Sequence, residues 1–256
     1  MIAAIGDIHG CFCELRELLQ YIKSKNPELT VFIGDYIDRG PDVKSVIDLI
    51  IKYSETNKTV FLYGNHEDMA IDAIYGQERY KKDHWFTQGG LETVSSLTGK
   101  KCTTENVHDY IKLIPEKYIN FLNSLEKYYE TEKYIFIHAG IGDYSKSLEN
   151  QNQDLEISKK KKFYNYIWVR EDFLTKNEKY MNKCIITGHT PIEAMPYFGV
   201  HTEDFYTPFV KYDKNSEPVY INTDTGCIYG KALSCVFLED NSFEFYSVKS
   251  TKNTDK

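Results

Sequence analysis

An α/β fold with its functional loops gathered at the carboxyl edge of the strands is what this 256-residue sequence predicts. Three observations carry that expectation. Short apolar runs end again and again in polar loops that hold metal-ligating residue types, which is how buried strands opening onto a site read. The first three of these loops are each followed by apolar residues at helical spacing, the pattern of βαβ units. Beyond residue 205 the apolar residues alternate instead, as in antiparallel strands joined by Asn, Asp and Gly turns.

Taken in order, the run 2–5 is followed by Gly6-Asp7-Ile8-His9-Gly10 and then by a helix over 11–25 with Leu15, Leu18, Leu19 and Ile22 on one face. The run 30–33 leads into Gly34-Asp35-Tyr36-Ile37-Asp38-Arg39-Gly40, and Pro41 opens a second helical stretch through Val43, Val46, Ile47 and Ile50. Proline suits that first turn because its missing N–H is not needed there. The run 59–62 precedes Gly64-Asn65-His66-Glu67 and a third helix through Met69 and Ile74. Shorter helices are expected over 85–97, 105–114 and 115–125, and strand character returns at 127–137, just before His138-Ala139-Gly140. The run 184–187 leads to Gly188-His189-Thr190-Pro191. The segments 209–212, 219–221, 233–238 and 243–248 then suggest a second, mostly antiparallel sheet. With no long linker, residues 1–250 read as one domain, with an exposed excursion at 142–162 that includes Lys159-Lys160-Lys161-Lys162 and a polar tail at 251–256.

Composition narrows the class. A hydrophobic content of 41% fits a globular chain, and a net charge of −7 argues against bulk nucleic-acid or anionic-membrane binding. No apolar run approaches the eighteen residues a membrane span needs, and the sequence enters a strand without a basic or apolar leader, so the cytoplasm is the expected compartment. The six cysteines are scattered without a C-x-x-C pair and read as reduced thiols.

The loops define the chemistry. Desolvating an ionised aspartate without a counter-charge costs several kcal/mol or more, so carboxylates at a buried strand end imply a metal, a cation or a substrate. Asp7 and His9, one residue apart, can face the same ion. Asp35 is the natural bridge, since a carboxylate offers one oxygen to each of two ions about 3.5–4 Å apart. Asn65, His138 and His189 would complete the shell of the second ion. That donor mixture suits divalent Mn, Fe or Zn, and sequence does not choose among them. Two dications less Asp7 and Asp35 leave about +2, enough to attract a phosphate dianion and to acidify a bridging water. His66 adjoins a ligand and is assigned to general acid catalysis, with Asp38 accepting from its other ring nitrogen. Arg39 projects towards the metals, where its planar fork takes two phosphate oxygens.

These motifs, in this order, resemble the phosphoprotein phosphatase (PPP) family of metal-dependent serine/threonine phosphatases. The compact bacterial and phage branch is the nearest in pattern: Trp85-x-x-x-Gly89-Gly90-x-x-Thr93, Trp168-Val169-Arg170-Glu171 and Asp224-Thr225-Gly226-Cys227 are similar to its secondary motifs. The resemblance implies a central two-sheet β-sandwich flanked by α-helices, the calcineurin-like metallophosphoesterase fold. It implies metal ligands Asp7, His9, Asp35, Asn65, His138 and His189, with two divalent ions, Mn²⁺ first and Fe or Zn as alternatives. It implies His66 as acid, Asp38 as its partner, and Arg39 with Arg170 as the phosphate clamp alongside Asn65 and His66, while a hydroxide on the dimetal site attacks phosphorus without a phosphoenzyme. Pro191 stands where nucleases and phosphodiesterases of the wider superfamily carry a second histidine, which favours monoester chemistry.

The expectation is therefore a phosphatase acting on phosphoserine or phosphothreonine in proteins or peptides. The alternative is a symmetrical diadenosine tetraphosphate hydrolase, which shares these residues. A catalytically dead binding module is a third possibility, set against by the presence of every ligand and of the acid. Tyr229 is read as packing, with a place at the border of the site as the alternative, and His84, His108 and His201 as surface or capping residues.

Overall fold

The computed structural model describes residues 1–76, 78–150, 166–240 and 242–252. Among them ten strands form two five-stranded sheets. The first contains β1 (Ile2–Ile5), β2 (Leu29–Phe32), β3 (Thr59–Phe61), β9 (Ala232–Leu238) and β10 (Phe243–Lys249), in the order β10-β9-β1-β2-β3. The second contains β4 (Tyr128–Glu130), β5 (Tyr134–Ile137), β6 (Cys184–Thr187), β7 (Phe209–Tyr212) and β8 (Pro218–Asn222), in the order β4-β5-β6-β8-β7. Each sheet has a parallel centre. β1, β2 and β3 run together in one, with β3 a parallel edge, and β5, β6 and β8 in the other, while the pairings of β9, β10, β4 and β7 are antiparallel.

This corrects one expectation from the sequence. The alternating segments of the second half do not make a separate antiparallel sheet: β9 and β10 return to the first sheet, where β9 pairs with β1 from Ile2↔Leu238 to Ile5↔Cys235. Alternation reports a half-buried strand but not the edge it will join.

Side-chain alternation divides the interior into layers. In β2 and the residue after it, Val31 and Ile33 turn towards the second sheet, while Phe32 turns towards the helices. In the second sheet Phe136, Ile186 and Ile221 meet them, and Ile135, Ile185 and Val219 face the opposite layer. The result is two stacked sheets with helices outside, the sandwich that the resemblance implies.

The helices follow the apolar spacing. α1 (Phe12–Lys25) buries Leu15, Leu18, Leu19 and Ile22 and ends at Asn26 in the left-handed conformation. α2 (Val43–Ser54) buries Val43, Val46, Ile47 and Ile50, and α3 (Asn65–Tyr75) begins inside the Gly64-Asn65-His66-Glu67 motif itself. α4 (Arg79–Trp85) is not expected from periodicity, because its only buried residue is Trp85. It continues through a kinked turn at Gly89 into α5 (Leu91–Thr98). α6 (Val107–Tyr110), α7 (Glu116–Asn123) and the one-turn α8 (Glu171–Leu174) complete the set. None of the described helices is long and apolar enough to cross a membrane.

One smaller expectation is revised in part. Residues 142–150, part of the supposed exposed excursion, are tied to the body: Leu148 is buried, and the Tyr144 ring meets Tyr180 at 5.3 Å. Residues 151–162, with the lysine run, lie outside the described residues, as do 253–256 of the tail. All six cysteines are free, as their scatter predicts.

Because Phe136 fills the layer between the sheets, Phe136→Ala should destabilise the protein by about 3–5 kcal/mol, as large-to-small core substitutions do. Leu113→Ala, at a half-exposed position, should cost under about 0.5 kcal/mol. Urea titration followed by circular dichroism checks both, and equal losses would show that the sheets are not packed through Phe136.

Candidate active site

Six parallel strands end at one place, and each supplies a polar residue there. Asp7 and His9 follow β1; Asp35, Asp38 and Arg39 follow β2; Asn65 and His66 follow β3. His138 follows β5, His189 follows β6, and Asp224 follows β8. All of them except Arg39 are buried. Ligands at the carboxyl ends of parallel strands are the rule for open α/β sheets, and here two sheets contribute to one cluster.

The backbone is bent hard to bring these groups together. His9, Asp35, Asp38, Arg39 and His189 all have positive φ, between 45° and 70°. Non-glycine residues seldom adopt this conformation, and they persist where the surroundings over-determine them. Much of that determination comes from Glu67. Its buried carboxylate accepts the N–H groups of Asp35 and Tyr36 at 2.9 Å each, of Gly64 at 3.1 Å and of Ile37 at 3.4 Å. Close approach fixes two neighbours as glycine: a Cβ on Gly64 would overlap Asp35 Oδ1, and one on Gly188 would overlap Asp7 Oδ1.

Asp35 sits in the middle. Its Oδ2 lies 3.4 Å from His9 Nε2, and its Oδ1 lies 3.4 Å from His138 Nε2, so its two oxygens address two different imidazoles. Asn65 Oδ1 lies 3.0 Å from His138 Nε2 and 2.8 Å from His189 Nδ1. The ligating atoms fall into two compact groups, one of His9, Asp35 and His66 and the other of Asp35, His138 and His189, with Asp35 common to both. Asp7 stands outside these groups and accepts the His189 backbone N–H at 3.0 and 3.1 Å.

The imidazoles are oriented from behind. His9 Nδ1–H donates to the Ile37 carbonyl at 2.7 Å and His138 Nδ1–H to the Ile33 carbonyl at 2.9 Å, so each presents the lone pair of Nε2 to the centre. Burial, with the Arg39 and Arg170 charges, lowers the pKa of His9 and His189 well below the usual range, and burial also lowers that of His138. Neutral imidazole is the ligating form.

Burial likewise raises Asp7 well above the ordinary carboxylate range, helped by the nearby Asp224 and Asp35, and raises Asp224 to about 6. Burial would raise Asp35 too, but the surrounding imidazoles and Arg39 hold it low.

Divalent ions fit this donor set. His138 Nε2, Asn65 Oδ1 and Asp35 Oδ1 turn lone pairs towards one another with no proton between them, an arrangement that repels itself until a cation stands among them. His189 Nε2 has no hydrogen-bond partner among the described residues. Imidazole, carboxylate and amide together suit Mn, Fe or Zn.

His66 differs from the other histidines in its backing. Its Nδ1 lies 2.6 Å from Asp38 Oδ2. Asp38 is held in turn by Thr93 Oγ1 at 2.6 Å and by Trp85 Nε1 at 2.9 and 3.0 Å. His66 Nε2 is buried and has no partner among the described residues. A carboxylate behind one ring nitrogen and a free second nitrogen is the arrangement of a general acid.

The arginines flank the cluster. Arg39 Nη1 donates to His9 Nε2 at 2.6 Å, and its guanidinium lies 5.6 Å above the Tyr229 ring. Tyr229 therefore borders the site, which favours that alternative over packing alone. Arg170 Nη1 donates to Thr190 Oγ1 at 3.1 Å and stands in the field of Asp224, Asp7 and Asp35.

Every residue expected from the sequence is thus in one neighbourhood. Four contributors lie in motifs quoted from the sequence but were given no role there: Glu67, Trp85 and Thr93 as supports, and Asp224 as a further carboxylate. His84 and His201 are exposed, and His108 pairs with Asp83 at 3.1 Å, all away from the site as expected.

Comparison with known proteins agrees with this geometry. The calcineurin-like phosphoesterase family matches residues 1–225. The asymmetrical bis(5'-nucleosyl)-tetraphosphatase PrpE of Anoxybacillus flavithermus is 30% identical over 96% of this chain and 93% of its own length. Its namesake from Oceanobacillus iheyensis is 27% identical over 97% of this chain and 92% of its own. Among solved structures, a cold-active protein-tyrosine phosphatase from a psychrophilic Shewanella superposes with a TM-score of 0.61 at 19% identity, covering 96% of this chain and 79% of that one. A serine/threonine phosphatase from Saccharomyces cerevisiae gives 0.52 at 15%, covering 99% and 81%. At such identities the two structures show the shared fold alone. With the strand-end loops, the two-sheet sandwich and this match in agreement, the chain belongs to the calcineurin-like phosphoesterase family.

Proposed function

We propose that this phosphoesterase hydrolyses dinucleoside polyphosphates, using two divalent ions held by Asp7, His9, Asp35, Asn65, His138 and His189. One observation carries the choice of substrate. The relatives matched along nearly the whole chain bear the name of asymmetrical bis(5'-nucleosyl)-tetraphosphatases, whereas a serine/threonine-phosphatase relative from Caenorhabditis elegans, 36% identical, covers only 29% of it. The expectation from sequence of a protein phosphatase becomes the second reading. It is favoured by Arg39 beside Asp38 and by Pro191 after His189-Thr190, features that suit a phosphomonoester.

Bound at such a site, divalent ions supply Lewis-acid polarisation of the phosphoryl group and acidification of water. The chain's own residues do the rest. Arg39 gives up its contact with His9 and joins Arg170 in a planar grip on phosphoryl oxygens, neutralising charge that builds as the bond to the leaving group stretches. His66 offers the Nε2 proton to the leaving oxygen. Asp38, immobilised by Trp85 and Thr93, holds the ring in that orientation. Glu67 keeps the Asp35 and Gly64 loops at the spacing this requires.

Product analysis tests the substrate. Incubated with diadenosine tetraphosphate and Mn²⁺, the enzyme should release ATP and AMP. Two ADP would point to the symmetrical cut, and no nucleotide release with rapid dephosphorylation of phosphoserine peptides would establish the second reading instead.

The acid role is testable by leaving group. His66→Asn should lower kcat by about 10²–10⁴ on phosphate esters with an alkoxide leaving group, the range for general acid catalysis. The loss on the dinucleotide should be smaller, because a phosphate leaving group needs little protonation. Equal penalties, or activity within a few-fold of wild type on both, would remove His66 from that role.

Metal uptake should also depend on pH. Asp7 is pushed up by burial, so in the metal-free protein it holds a proton that an arriving cation must expel. Affinity for Mn²⁺ should therefore rise with pH above the ordinary carboxylate range, with protons released to buffer. Calorimetric titration in buffers of different ionisation enthalpy measures both, and a pH-independent affinity without proton release would contradict the assignment of Asp7.

A further inference from the structure

Beyond the phosphate clamp, cations and aromatic rings alternate along a strip of surface. Arg39 lies over the Tyr229 ring at 5.6 Å. Tyr229 and Lys231 flank the turn at Gly226, where a Cβ would stand 3.6 Å from Tyr229 Cδ2 and 3.7 Å from Lys231 Cγ. The Lys231 ammonium then lies 5.9 Å from the centroids of both Phe205 and Tyr206, and Lys249 from β10 approaches the Tyr206 ring at 5.9 Å. Tyr229 and Tyr206 are 46% and 43% exposed. Asp204 fixes the turn that presents Tyr206, accepting its N–H at 2.7 Å, and Glu193 pairs with Lys231 at 3.6 Å, so the strip is built rather than loose.

Four cation–aromatic contacts fall along this strip from the active site outwards. In a chain of net charge −7, three cations in one strip make a local field for an anion. Lysines grip phosphates as point charges, and exposed aromatic faces stack nucleobases. We infer that the Tyr229–Lys231–Tyr206 strip, with Lys249, is a subsite for the nucleoside polyphosphate arm of the substrate: Lys231 and Lys249 hold its phosphates, and Tyr206 stacks its base. The inference rests on the dinucleotide reading above and adds the residues that would make it selective.

The test compares wild type with Tyr206→Ala and Lys231→Ala, all loaded with Mn²⁺, on diadenosine tetraphosphate and on p-nitrophenyl phosphate. The ratio of kcat/KM on the dinucleotide to that on the small ester should fall about tenfold in each variant, the lower part of the range for one stacked base. A misfolded variant would lose both activities together and leave the ratio unchanged, so melting curves accompany the kinetics. If wild type hydrolyses p-nitrophenyl phosphate but no dinucleotide, the substrate reading fails. The strip is then judged separately by ADP inhibition of p-nitrophenyl phosphate turnover, which both variants should weaken about tenfold. Unchanged ratios in folded variants, or equal ADP inhibition constants in all three proteins, would overturn the subsite.

Discussion

A buried carboxylate with one oxygen aimed at each of two imidazoles is the constraint around which this molecule is arranged. Asp35 is 2% exposed, sits at φ 53° and lies 3.4 Å from both His9 and His138. A desolvated carboxylate is costly unless positive charge joins it. The surroundings accept that cost locally and offset it by rigidity: Glu67 gathers the backbone amides of Asp35, Tyr36 and Gly64 into one carboxylate, and His66 N–H donates to Asp35 Oδ1 at 3.1 Å. The strained φ values are the visible consequence of holding so many polar groups at one point.

The fold makes that convergence possible. Parallel strands β1, β2 and β3 in one sheet and β5, β6 and β8 in the other all release their loops in the same direction, and the apolar layer containing Val31, Ile33, Phe136 and Ile186 fixes one sheet against the other. The site residues from Asp7 to His189 are therefore positioned by packed strands rather than by the loops themselves. Such support is what keeps a polyvalent site at working geometry. The outer parts serve single tasks: α4 and the start of α5 exist, as far as the site is concerned, to bring Trp85 and Thr93 to Asp38.

What could be read in the sequence divides along physical lines. Strands β1, β2, β3, β5 and β6 and the ligand after each were legible because run, glycine and ligand lie within a few neighbouring residues. The supports were not. Trp85 and Thr93 stand in a quoted motif, but they reach Asp38 across 47 and 55 residues, and no local period encodes that contact. Glu67 stood in view beside His66, but that its side chain turns back onto the Asp35 loop is a property of the folded turn. Arg170 came only through family resemblance, since an isolated arginine has no periodic signature. The return of β9 and β10 to the edge of β1 was missed because alternation specifies which face is buried, not which neighbour is paired.

Anomalous diffraction from crystals of the Mn²⁺-loaded protein would test the central claim most directly. Two peaks about 3.5–4 Å apart, bridged by Asp35, with Asn65, His138 and His189 on one and Asp7 and His9 on the other, are the predicted result. A single peak, or ions bound away from Asp35, would contradict it.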